Sequence, residues 1–242
     1  MIQSSRQSML FKSRMFGSKR GVEGNPPGKI EIYNEQNTLP NLDLSDLEHT
    51  ISSIREIIGY PTYDVSLILN EDDDMREINL ETRGIDRPTD ILSFQFQDNV
   101  HEPGNLAEPD FDIPEYYNLG DMIIDVPYVL RRIDEDRRYN EGTSNDDSKY
   151  DEDNEEDGDD NEVEDDDQND YEDFVGDDDR GVSGIMSKLY DPQERIQLLL
   201  VHGMLHLVGY DHIDDEDYEL MVEREEEVIR SLQIKLGKKW CD

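Results

Sequence analysis

Between Glu141 and Arg180 the chain carries 22 aspartates and glutamates against two basic residues, in 40 positions. A stretch like this cannot collapse: like charges repel, and almost no apolar side chain is present to offset the cost of ordering it. Its net charge of −20 is about half of the −39 carried by the whole chain of 242 residues. The low hydrophobic fraction of 34% is therefore that of an ordinary folded body diluted by a polar passenger. Strongly patterned sequence resumes after the block, so the block interrupts a domain. Residues 140–181 are expected to be a disordered acidic insertion, with 29–139 and 182–242 forming one folded unit.

Several classes of protein are excluded. The longest apolar run, Leu198 to Val201, falls far short of the roughly 18 residues of a membrane span. The single cysteine, Cys241, permits no intrachain disulfide and fits a reducing compartment. The negative charge argues against a generic basic surface for nucleic acid, and against DNA as a partner. An enzyme that holds RNA through a few placed cations remains compatible with it. The first 22 residues contain Arg6, Lys12, Arg14, Lys19 and Arg20 and no acid. Such a segment resembles a mitochondrial transit peptide; an unstructured basic tail has the same composition. Mitochondrial delivery is the expectation and a cytoplasmic location the alternative. Gly24 to Gly28 (GNPPG) closes this segment, so residues 1–28 stand outside the folded unit.

Within the folded unit, periodicity predicts strands at Lys29–Tyr33, Tyr63–Leu69, Asp90–Phe96 and Leu119–Val126. Leu47, Ile51, Ile54, Ile57 and Ile58 form the buried stripe of a helix capped by Asp43 or Ser45. Further helices are predicted over Asp72–Thr82, from Pro127 to about Arg138, from Asp191 to Val208, and over Asp214–Leu236. The Asp191–Val208 helix is apolar on most sides and belongs to the core, and Gly209 is placed to end it.

Three of the five histidines fall within eleven residues: His202-Gly-Met-Leu-His206-Leu-Val-Gly209-Tyr-Asp-His212. His202 and His206 are four apart on a helix and project from one face. A left-handed turn at Gly209 would aim His212 at the same point. Three neutral imidazoles converging on one spot, with a fourth position open, form the pattern of a catalytic zinc site. His49 and His101 read as surface groups. The spacing H-x-x-x-H-x-x-G-x-x-H is shared with metzincin proteases, but those carry H-E-x-x-H, whose glutamate is the general base. Here that position is Gly203. A metalloprotease is disfavoured, and phosphodiester hydrolysis is a reaction a metal site can run without that glutamate.

HGMLHLVGYDH resembles the signature of YbeY-type endoribonucleases, HG-x-LHL-x-GYDH. Two more segments agree in order: INLETRGIDRPTDILSFQF over Ile78–Phe96, and YNLGDMII over Tyr117–Ile124. The preceding PDFDIPEYYNLGD is closer to eukaryotic members. The resemblance covers about Lys29–Arg138 and Gly184–Lys239.

The resemblance implies a single-strand-directed, metal-dependent endoribonuclease acting in ribosomal RNA maturation. It implies a compact α+β domain with a small, about four-stranded mixed sheet backed by helices, and the zinc site on a core helix and the following turn. Carried over position by position, His202, His206 and His212 would hold one Zn2+ per chain, and Arg83 would stand near the scissile phosphate. Asp86, Thr89, Asp90 and Ser93 would shape the cleft, and Asp121 would be a polar cleft residue or support a ligand. Read alone, Arg83 is a solvated charge, Asp90 a cap and Ser93 a strand residue. Asp211 either orients a ligand histidine or favours the turn; Gly203 and Leu207 serve packing. The acidic insertion is a solvated spacer, or it binds basic ribosomal proteins or competes with RNA for cations. A non-catalytic ribosome-assembly factor with a structural metal is the remaining alternative.

Overall fold

The computed structural model describes residues 26–97, 100–107, 109, 113–142 and 181–240. Both the basic N-terminal segment (to residue 25) and the acidic block (143–180) lie outside the described residues.

Four strands form the central sheet: β1 (Ile30–Asn34), β2 (Asp64–Asn70), β3 (Ile91–Gln95) and β6 (Asn118–Asp125). Their spatial order is β1-β2-β6-β3. β1, β2 and β6 run parallel, whereas β3 pairs antiparallel with β6 in the register Ser93↔Met122 and stands at an edge. The domain is α+β, with a four-stranded mixed sheet and six helices.

Two helices, α1 (Leu44–Ile58) and α5 (Pro192–Leu207), cover one face, and α6 (Asp215–Leu236) packs on both of them. Leu67, Leu69, Met122 and Ile124 of the sheet share one continuous core with these helices. α1 starts where Asp43 accepts from the Asp46 N–H at 3.0 Å, and it buries Leu47, Ile51, Ile54 and Ile58. α5 starts at Asp191, whose side chain accepts from the Glu194 N–H. Its polar Gln197 is buried, and is satisfied by Asp46 and Thr50 of α1 at 2.8 Å each. α2 (Asp72–Arg83) covers part of the other face, where Met75, Leu92 and Ile123 form a small second core.

All nine predicted elements are present. Helix α3 (Val126–Gly142) runs four residues beyond the predicted end, and α4 (Gly181–Met186) begins at the last residue assigned to the insertion. Residues 140–142 and 181 of the expected 140–181 insertion are thus helical. Two further features were not expected. A hairpin of β4 (Val100–Glu102) and β5 (Asn105–Leu106) is fastened by the Gly104 N–H to the Val208 carbonyl at 2.8 Å and by the Tyr60 hydroxyl. A single 3-10 turn occupies Pro114–Tyr116.

Candidate metal centre

The site forms where the buried helix α5 stops. His202 and His206 are one turn apart on it and leave the same side. The Val208 and Tyr210 N–H groups both return to the Leu205 carbonyl at 3.1 Å, and the Gly209 N–H donates to the His206 carbonyl at 2.9 Å. Gly209 has φ of +89°, a conformation that side chains disfavour. This turn brings His212 back over the helix end. The ring centroids lie 4.6 Å (His202–His206), 5.1 Å (His206–His212) and 5.5 Å (His202–His212) apart. One nitrogen from each ring lies within 4.8 Å of the others.

Both helical imidazoles are held through Nδ1. Glu225 Oε1, from α6, lies 2.8 Å from His202 Nδ1, and the Tyr210 carbonyl lies 2.9 Å from His206 Nδ1. An acceptor at each Nδ1 places the ring proton there and leaves each Nε2 lone pair turned inward. These two Nε2 atoms are 3.1 Å apart. Two lone pairs so close repel unless a cation stands between them. Imidazole nitrogens at about 2.0–2.1 Å from a tetrahedral zinc are roughly 3.3 Å from each other, so the donor set fits that ion. The His206 ring is also kept neutral: burial, and then the neighbouring His202, His212 and Arg83, push its pKa down to about 3. Ligation requires that neutral form.

Between His202 and His206, Gly203 faces the sheet. A β-carbon there would stand 2.7 Å from Ile91 Cδ1 and 2.9 Å from Met122 Sδ. The position at which a metzincin carries its glutamate therefore points into packed core.

The other residues singled out in the sequence are distributed unevenly. Arg83 ends α2, is exposed, and lies near enough to the histidines for its charge to bear on His206. Ser93 packs beside Gly203, and its buried Oγ has no hydrogen-bond partner among the described residues. Asp86 makes two bonds to Arg76, at 2.6 and 2.9 Å, which hold its carboxyl below the usual carboxylate range. Asp90 accepts from the Ile91 N–H at 2.8 Å and from Thr89 Oγ1 at 3.3 Å, and its carbonyl accepts from the Asp125 N–H. Those bonds fasten the loop between α2 and β3. Asp121 is not brought to the histidines. It is exposed and shares the α2 side of β6 with Ile123, whereas α5 packs on Met122 from the opposite side. Asp211 accepts from the His212 N–H at 2.8 Å, a turn bond rather than a contact to a ring. The groups that do orient the imidazoles, Glu225 and the Tyr210 carbonyl, were not legible: only its 4% exposure separates Glu225 from the many acids around it.

The sequence family described as Endoribonuclease YbeY matches residues 30–143 and 186–233, a span that includes Arg83 and all three histidines. The chain belongs to the YbeY endoribonuclease family. The YbeY match breaks off where the acidic block begins, so the block is additional to what this chain shares with the family. Endoribonuclease YbeY of Shouchella clausii is 27% identical over 203 residues, covering 84% of this chain and 93% of that protein. Its namesake in Acetivibrio thermocellus is 29% identical, covering 86% and 93%. The Homo sapiens Endoribonuclease YbeY is 32% identical over 112 residues, covering 46% of this chain and 65% of the human one.

Proposed function

We propose that this protein is a zinc-dependent endoribonuclease that cuts single-stranded ribosomal RNA during ribosome maturation. The observation that carries the proposal is the inward-facing pair of Nε2 atoms, 3.1 Å apart, with His212 turned back upon them in a chain of the YbeY family. His202, His206 and His212 hold the ion. A bound zinc supplies Lewis-acid polarisation of a phosphoryl oxygen and lowers the pKa of a water. Arg83, exposed beside the cluster, supplies a fixed positive charge for the scissile phosphate as charge develops on it. Ser93, whose buried hydroxyl packs beside Gly203, shapes the cleft by seating the metal-bearing helix on β3. Asp86, Thr89 and Asp90 hold the loop that follows Arg83 and so set its position. Gly203 leaves the helix without the carboxylate that peptide hydrolysis needs.

The test is cleavage of a labelled ribosomal RNA fragment by wild type and His206→Ala, purified side by side, with casein as a control substrate. Cleavage of RNA by wild type alone, abolished by a chelator, supports the proposal. Equal cleavage by both proteins, or none by either, overturns it in favour of a non-catalytic role in assembly. We propose mitochondrial delivery from the basic, acid-free residues 1–22. Fluorescent fusions with and without them test it, and a full-length fusion that stays in the cytoplasm overturns it.

A further inference from the structure

The two oxygens of Glu225 have two different partners. Oε1 lies 2.8 Å from His202 Nδ1, and Oε2 accepts from the backbone N–H of Val182 at 2.9 Å. Glu225 is 4% exposed and Val182 1%. A carboxylate buried this deeply is tolerated only when its oxygens are hydrogen-bonded. Val182 lies in the first turn of α4, where N–H groups have no acceptor within the helix. With six residues, α4 is too short to be stable alone, and it packs on α5 and α6. It is also the first described element after the acidic block.

We infer that Glu225 is a positioning residue that couples metal binding at His202 to the docking of α4. The inference rests on the metal-site reading above. A cation on Nε2 draws electron density from the imidazole and strengthens the Nδ1–H bond to Oε1. That bond fixes the carboxylate in the orientation that keeps Oε2 on Val182. Conversely, a docked α4 holds Glu225 ready to orient His202. Coupling between two such equilibria is reciprocal. Whatever displaces α4 weakens the metal, and the metal tightens α4.

Glu225→Gln breaks one half of the link whichever way it turns. With its oxygen toward His202, its amide opposes the Val182 N–H, donor against donor. Turned round, the amide donates to Nδ1, drives the ring proton to Nε2 and blocks ligation. Zinc affinity of the full chain, measured by competition with a chromophoric chelator, is expected to fall about 10- to 100-fold in this variant. Hydrogen exchange of the peptide spanning Val182 is expected to slow on adding Zn2+ to wild type, and to be unaffected in Glu225→Gln. Val182→Pro removes the N–H donor at a first-turn position where proline is tolerated, and also alters a buried side chain. It is expected to weaken zinc several-fold, whereas Val182→Ala, which trims the side chain and keeps the N–H, is expected to leave zinc affinity unchanged. Wild-type zinc affinity in Glu225→Gln, even with a lowered melting temperature, overturns the inference by making Glu225 merely structural. Zinc-induced protection at Val182 that persists in that variant, or is absent from wild type that binds zinc, also overturns it. Failure of wild type to bind zinc at all strikes the metal-site reading itself, a result separate from these.

Discussion

A β-carbon on Gly203 would stand 3.1 Å from the hydroxyl oxygen of Ser93, so the side chains of the edge strand β3 meet the backbone of the metal-bearing helix directly. The histidines on either side of that contact owe their depth beside the sheet to it.

Gly203→Ala is therefore expected to destabilise the fold by about 1–3 kcal/mol, the usual cost of forcing extra atoms into a packed core. Thermal unfolding checks this. Gly203→Glu restores the letters of a metzincin motif but not its geometry, because the side chain must displace Ile91 and Met122. Hydrolysis of casein by that variant would contradict the packing argument.

Arg83 is exposed and its proposed contribution is electrostatic. Arg83→Ala is expected to lower RNA cleavage by roughly 100-fold, the scale of removing one preorganised positive or donor group. Melting temperature and zinc content should both be unchanged. Arg83→Lys keeps the charge but loses the fork of donors, and should recover only part of the activity. Parallel loss of activity and zinc would show that Arg83 acts on the site's assembly instead.

Asp125, fully buried at the end of β6, gives a pH signature of its own. Its Oδ1 accepts from the Tyr128 N–H at 2.9 Å, while Oδ2 has no partner among the described residues. Burial above all, with the Asp72 carboxylate adding to it, raises its pKa to about 7, against 3.8 for an ordinary aspartate. Asp72 itself is held low by its bond to Arg131. The folded state thus keeps a proton that the unfolded chain releases. The stabilisation is complete below about pH 4 and is lost as pH rises through about 7. Asp125→Asn keeps the cap to Tyr128 without the ionisation. Its melting temperature should exceed that of wild type at pH 8, with the difference shrinking towards pH 5. Parallel curves for the two proteins would refute this.

The Asp86–Arg76 pair is exposed on both sides and open to screening by salt. Asp86→Ala is expected to leave thermal unfolding unchanged and to reduce cleavage only a few-fold, by loosening the loop that follows Arg83. A loss as deep as that of Arg83→Ala would place Asp86 on the substrate.

Local patterns made most of the fold legible. The stripe Leu47–Ile51–Ile54–Ile58 and the Asp191-Pro192 cap announce α1 and α5, because helix period and capping are settled within a few residues. Spacing also predicted that His202, His206 and His212 converge, since one helical turn and one left-handed glycine are enough to aim them. The β4–β5 hairpin escaped because distant partners fasten it: Gly104 to Val208, and Tyr60 to both Gly104 and Leu106. Asp121 was placed in the cleft by the resemblance alone; the side of β6 it takes, shared with Ile123 under α2, is set by how the helices pack on the sheet.

The sequence by itself determined the elements, the interruption by the acidic block and the set of three imidazoles, all of them consequences of periodicity, charge density and short-range turn geometry. Only the tertiary structure decided which acid serves the histidine cluster. Glu225 resembles its neighbours on α6 in every local respect. What distinguishes it is that α6, α5 and α4 close around it, so that desolvation obliges both its oxygens to find partners and directs them to His202 and Val182. That selection acts across 23 and 43 positions of chain, where no local pattern reaches.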